Sequence, residues 1–317
     1  MDPRRRRLLT TRSTGSSRRP VPRRVVALVG AFFALAQLAT PAAAQRPLRI
    51  FISVDVEGIG GIGTGAMTSP NGKDYATARR LMTEEVNAVV AAIFEHGPAE
   101  IVVNDSHGDM QNLLHTELDP RVTYIQGAVK PVGMVAGLDS TFDAAIFLGY
   151  HARAGTARGF LAHTGSGAVK GLWLNDIEVG EGELNAAYAG ALGVPVILAA
   201  GDSAFVAQFS AHVPTAELVV TKVAVTPASA RLRHPEAVRA DLAAATRRAL
   251  QRLDRARPFV VGSPVRVRLR LADVTTPQIL EAIPGVRQVD GYTVEFTADS
   301  MDRAYRLIRL MYRFVSI

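Results

Sequence analysis

Two rhythms of apolar residues run along this chain. Leu48 to Val56 is a continuous apolar stretch rich in β-branched residues and predicts a buried strand. From Ala76 to Glu95 the residues Leu81, Val86, Val89, Val90 and Ile93 recur at helical spacing. His96-Gly97-Pro98 ends that helix with a cationic last turn, a glycine and a proline. Ile101 to Val103 and Asp143 to Leu148 predict two more short strands. Leu172 to Val179 predicts a hairpin turning at Asn175-Asp176. Glu181 to Leu192 predicts a helix stopped by Gly193, and Val194 to Ala199 a further strand. Strands apolar on both faces and separated by helices predict an α/β fold, a mostly parallel sheet with helices on both faces.

After residue 205 the texture changes. Pro235 to Leu253 predicts a long helix. Val265, Val267, Leu269 and Leu271 alternate with Arg266, Arg268 and Arg270, as in a strand with one wet face. Thr276 to Ile283 predicts a short helix. Val286 to Val289 and Tyr292 to Thr297 predict a hairpin around Asp290-Gly291. Asp299 is placed to cap a last helix running to about Phe314. The expected organisation is an α/β domain over 45–205 and a smaller α+β domain over 206–317. Thr226 to Arg233 has the composition of a linker, although the pattern favours one compact two-domain body.

Charge modifies the picture only at the amino end. The formal charge is +7, but residues 1–44 hold nine of the 36 basic residues and one of the 29 acids. That leaves 27 bases against 28 acids in the rest, so no nucleic-acid surface is implied. The first 44 residues read as a signal peptide. Arg4 to Arg7, Arg18, Arg19, Arg23 and Arg24 form a positive region, Val25 to Ala39 an apolar stretch, and Pro41-Ala42-Ala43-Ala44 a small-residue cleavage site. The apolar stretch is short for a membrane span, which needs about 20 residues. The mature protein is therefore expected to be exported, periplasmic or secreted, without a stable span. With no cysteine in the chain it uses no disulfides.

The chemistry gathers at the strand ends. Parallel sheets present ligands at their carboxyl ends. The first strand ends Ser53-Val54-Asp55-Val56-Glu57-Gly58, and alternation puts Asp55 and Glu57 on one face. Two adjacent carboxylates repel each other unless a cation lies between them. The next strands end at Asp105-Ser106-His107 and Gly149-Tyr150-His151, and the hairpin leads into Val179-Gly180-Glu181. Asp55, Glu57, His107, His151 and Glu181 thus offer a ligand set suited to two zinc ions, and manganese or cobalt suits it too. Taken singly, each residue also fits a solvated loop or turn; the shared placement carries the metal reading. Asp105 has two readings, orienting a ligand histidine or capping a turn. Gly58-Ile59-Gly60-Gly61-Ile62-Gly63 matches the dinucleotide fingerprint after a strand. The fingerprint must open a helix, however, and Thr64 to Gly72 is rich in turn formers. A loop over the site fits better.

Several motifs in one order carry a resemblance. They are Ser53-Val54-Asp55-Val56-Glu57-Gly58, Val103-Asn104-Asp105-Ser106-His107, and Leu148-Gly149-Tyr150-His151-Ala152-Arg153-Ala154. Further ones are Leu81 to Asn87, Lys130-Pro131, Gly137 to Phe142, Val179-Gly180-Glu181 and Ala200-Gly201-Asp202. Over about residues 48–315 the chain resembles the DppA-type D-aminopeptidases. The resemblance implies a zinc pair on Asp55, Glu57, His107, His151 and Glu181, with Asp55 bridging, and a catalytic role for His163. The spacing from His151 to His163 is one residue longer than the family pattern, and the leader departs from cytoplasmic members. The implied reaction is hydrolysis, by a metal-activated water, of short peptides with an N-terminal D-residue, such as D-Ala-D-Ala. The family also implies a homo-oligomer, a decameric ring around an inner chamber. Two other functions fit acid- and histidine-rich strand ends: a two-metal phosphoesterase, for which Arg153 and Arg158 are the nearby cations, and an envelope protein that binds metal and peptide without turnover.

Overall fold

The computed structural model describes residues 46–315; the leader expected over 1–44 lies outside the described residues. β1 (Leu48–Val54) leads through α1 (Tyr75–His96) to β2 (Ala99–Asp105), β3 (Thr123–Ile125) and β4 (Ala144–Tyr150). A hairpin of β5 (Val169–Leu174) and β6 (Ile177–Glu178) precedes α2 (Glu181–Ala191), β7 (Val196–Asp202) and α3 (Ser203–His212). Then come β8 (Glu217–Thr226), β9 (Ser229–Leu232), α4 (Pro235–Gln251) and β10 (Val265–Leu271). α5 (Thr276–Leu280), β11 (Arg287–Asp290), β12 (Thr293–Ala298) and α6 (Met301–Val315) follow.

Seven strands form one sheet in the order β3-β2-β1-β4-β7-β8-β9, parallel except for β9. β11-β12-β10-β5-β6 form a second, antiparallel sheet. The first sheet is covered on both faces, as its uninterrupted apolar strands require. Ile50, Ile52 and Val54 of β1 share one core with Val86 and Val89 of α1 and Leu242 of α4. Phe51 of β1 and Phe147 of β4 share the other with Leu184 of α2, Phe209 of α3, Ile308 of α6 and the inner face of the second sheet. Among the described residues no helix is long and apolar enough to cross a membrane.

The two sheets do not divide at residue 205. β8 and β9, from beyond that point, extend the parallel sheet, while β5 and β6, from before it, pair onto β10. The reason is burial: an isolated two-stranded hairpin cannot cover its own apolar face. Arg46–Ile317 accordingly form one compact unit. Thr226 to Arg233 is no linker but the turn and return strand of the β8–β9 hairpin. The last helix is capped by Ser300, one residue after Asp299, its hydroxyl accepting the Arg303 amide at 3.3 Å.

Strand order places the site. The chain builds β2 and β3 on one side of β1 and β4 and β7 on the other, so the connections diverge between β1 and β4. Such a reversal opens a crevice at the carboxyl ends of the strands. Register keeps those ends level: Val54 stands opposite both Asp105 of β2 and Leu148 of β4.

Candidate metal centre

The residues after β1 are pinned against the end of β4. The Asp55 amide donates to Leu148 O at 2.9 Å and the Gly58 amide to Gly149 O at 2.7 Å. Only glycine permits that approach at position 58, where a Cβ would lie 2.0 Å from Tyr150 O. From the other side, the buried Lys222 ammonium donates to the carbonyl oxygens of Glu57 and Ile62. Glu181 opens α2, where a carboxylate sits favourably at the helix amino end. It accepts the Gly165 amide at 2.5 Å.

The structure brings together all six side chains singled out in the sequence. His107 Nδ1 lies 3.0 Å from both Asp55 Oδ1 and Glu57 Oε2. His151 Nε2 lies 3.5 Å from Asp55 Oδ2 and 3.7 Å from Glu181 Oε2. His163 Nε2 lies 3.6 Å from Glu181 Oε1, and its ring stacks on His151 with centroids 4.1 Å apart.

Each imidazole uses its other nitrogen in the same way. His107 Nε2 donates to Thr68 O at 2.7 Å, His151 Nδ1 to Ala152 O at 3.0 Å, and His163 Nδ1 to Leu161 O at 2.9 Å. A carbonyl oxygen only accepts, so these nitrogens carry the protons. The opposite nitrogen of each ring is thereby turned, lone pair outward, toward the carboxylates. That is how ligand histidines are oriented at metal sites.

Electrostatics supports the same reading. Burial, then the neighbouring Glu57 charge, pushes the Asp55 carboxyl well above its usual range. Burial also acts against the Glu57 charge, yet the His107 imidazole beside it brings Glu57 well below the usual range. His107 is in turn raised well above an ordinary histidine, burial being outweighed by Glu57 and Asp55. Burial and the His163 ring lower His151, whereas Glu181 and Glu57 raise His163 despite its burial. Without a metal, a proton on His107 is thus the cation that keeps Asp55 and Glu57 together. His151 Nε2 is buried without a hydrogen-bond partner, which such an atom rarely is unless something else occupies it. Lone pairs of three imidazoles converging on three carboxylates fit divalent metal.

The remaining sequence readings resolve differently. Asp105 caps a turn: it accepts the Asn112 and Leu113 amides at 2.5 and 2.8 Å. Gly58 to Gly63 is a run of turns, and the following helix α1 starts only at Tyr75. Arg153 pairs with Glu178 at 3.1 Å. A cavity of about 170 Å³ adjoins the cluster, and Met110, Met134 and Arg309 also line it. These three were not legible as site residues. The signal for Arg309 was present, a cation four residues after Tyr305 and three before Tyr312 and so on their helical face, both tyrosines being buried.

A family model described as D-aminopeptidase matches residues 48–310. The D-aminopeptidase of Bacillus subtilis (strain 168) is 34% identical over 265 residues, covering 83% of this chain and 96% of that protein. A solved structure, the Zn-dependent D-aminopeptidase DppA from Bacillus subtilis, a self-compartmentalizing protease, superposes with a TM-score of 0.82. It is 34% identical and is covered to 98%, against 84% of this chain. With strand ends, acidic cluster and near full-length similarity in agreement, the chain belongs to the D-aminopeptidase family of metallopeptidases.

Proposed function

We propose that this protein is a two-zinc aminopeptidase that removes the N-terminal D-residue from short peptides such as D-Ala-D-Ala. The carrying observation is the way Asp55 divides the cluster. Its Oδ1 faces His107, which also meets Glu57, and its Oδ2 faces His151, which also meets Glu181. Two ligand groups joined by one carboxylate suit a metal pair with Asp55 as the bridge. Glu57 and His107 would hold one ion, His151 and Glu181 the other. Bound zinc supplies a Lewis acid and, from water, a nucleophile available near neutrality.

The chain's own groups supply the rest. His163 has a side chain 31% exposed, against 1% for the His151 side chain, so its Nε2 is open to the cavity. With Nδ1 committed to Leu161 O, Nε2 is the atom that takes and returns a proton, passing it to the leaving amine. The preference for a D-residue rests on the family. By likeness to the self-compartmentalizing relative we also propose a closed homo-oligomer, checked by light scattering, and by its leader an exported protein, checked by cell fractionation.

The deciding experiment measures zinc content and D-alanine release from D-Ala-D-Ala beside hydrolysis of a nitrophenyl phosphate. Two zinc ions per chain with dipeptide turnover support the proposal. Phosphate release alone makes the protein a phosphoesterase, and zinc without any turnover a binding protein.

A further inference from the structure

The cavity beside the acidic cluster has one permanent cation in its wall. Besides Asp55, His107, His163 and Glu181 it is lined by Arg309 of α6, and among the described residues no other lysine or arginine lines it. The Arg309 guanidinium packs over the Tyr312 ring, 5.8 Å from its centroid. Among the described residues it makes no ion pair or hydrogen bond, and its buried Nε has no hydrogen-bond partner. Its neighbour Arg306 behaves as surface arginines do, reaching both oxygens of Asp302 at 2.9 and 3.0 Å. A buried guanidinium N–H without an acceptor is costly.

The backbone is shaped around this side chain. Gly133 adopts φ +48, and a Cβ there would lie 2.5 Å from the guanidinium carbon. Arg309 also lines a second cavity, which contains Lys130, Arg306 and Arg313 and no carboxylate. One pocket is thus acidic where the cluster lies and borders a cationic region at Arg309.

We infer that Arg309 binds the C-terminal carboxylate of the substrate, so that the preferred substrates are dipeptides with a free carboxyl end. The inference rests on the aminopeptidase reading of the metal centre. With the amino end of the peptide at the metal centre, a guanidinium in the same cavity wall meets the free carboxylate of a short peptide. The planar guanidinium offers a carboxylate two parallel N–H donors. Gly108, Gly165, Met110 and Met134 complete a lining suited to small apolar side chains.

The test compares D-Ala-D-Ala with D-Ala-D-Ala amide on the zinc-loaded protein. Wild type is expected to prefer the free acid by about 100-fold in kcat/KM, chiefly through KM, the effect of leaving a buried charge unpaired. In Arg309→Met the acid-to-amide ratio collapses toward one, with zinc content and thermal unfolding as controls. Arg309→Lys keeps the charge without the fork and retains a preference of about 10-fold. Equal wild-type rates on acid and amide, or a ratio undisturbed in Arg309→Met, overturn the assignment of Arg309 and leave the aminopeptidase standing. Failure of the zinc-loaded wild type to hydrolyse either compound overturns the aminopeptidase reading and this inference with it.

Discussion

The histidines show how the same side chain acquires different work from one hydrogen bond and its depth. His107, His151 and His163 all anchor one nitrogen on a backbone carbonyl. His107 then meets two carboxylates at 3.0 Å, while His163 stands at the cavity with its Nε2 near Glu181 alone. His107→Ala is therefore expected to lose zinc together with activity, and zinc retained at full stoichiometry removes it from the ligand set. His163→Ala is expected to keep both ions and lose about 10²- to 10⁴-fold in kcat, the usual contribution of a positioned acid–base group. Because His163 Nε2 also lies within ligand range of His151 and Glu181, metal analysis of the variant distinguishes proton carrier from ligand. The candidate ligands were legible because acids and histidines after apolar strands are a local signal. Thr68, whose carbonyl orients His107, was not, since any residue type supplies a carbonyl.

Among elements, the loop after β1 depends on two buried ionisable side chains lent by its neighbours. Glu85 of α1 accepts the Gly60 amide at 2.6 Å, and Lys222 of β8 holds Glu57 and Ile62 by their carbonyls. Burial, only partly offset by the Gly60 amide and Lys222, pushes the Glu85 carboxyl from 4.5 up to about 7. Between those values the folded protein holds a proton that the unfolded chain has released. The stability Glu85 contributes is therefore full below about pH 4.5 and lost as pH rises through about 7. Urea unfolding across this window should show wild type losing on the order of 3 kcal/mol relative to Glu85→Gln, whose amide does not titrate. A constant difference between the two proteins refutes it. Zinc release at low pH is common to both and cancels. Burial brings Lys222 down to about 7 from 10.5, so its own effect lies in the window above. The helices and strands themselves were readable from apolar spacing. The β8–β9 hairpin was not, because β9 has no buried residue and the buried positions of β8, Val219, Thr221 and Lys222, are mostly polar.

At the level of the whole molecule, the cluster places three carboxylates in a buried crevice between β1, β4 and α2, where Asp55, Glu57 and Glu181 are each 5% exposed or less. Uncompensated negative charge there opposes folding. Metal bound to the native state alone adds stability by mass action, about 4 kcal/mol at a thousandfold excess over its Kd. Chelation is therefore expected to lower the thermal midpoint, and zinc to restore it. An unaltered midpoint after verified zinc removal shows that the fold carries these charges unaided. A chelated sample should recover part of the loss as pH falls, because Asp55, raised by burial and by Glu57, then takes up a proton.

Local residue order sets the strands, the helices and the chemistry at their ends, because side-chain alternation, apolar spacing and caps act over a few residues. It also sets the parity that carries Phe51, Ser53 and Asp55 onto one face of β1. What only folding settles is which distant pieces meet. The β5–β6 hairpin leaves the parallel sheet for β10, the Thr68 carbonyl turns His107 toward Asp55 and Glu57, and α6 brings Arg309 to a cavity built by the first half of the chain. The physical reason is that burial is a demand without an address. A sequence shows that an apolar face or a charge must find a partner, and the packed chain alone shows which one it finds.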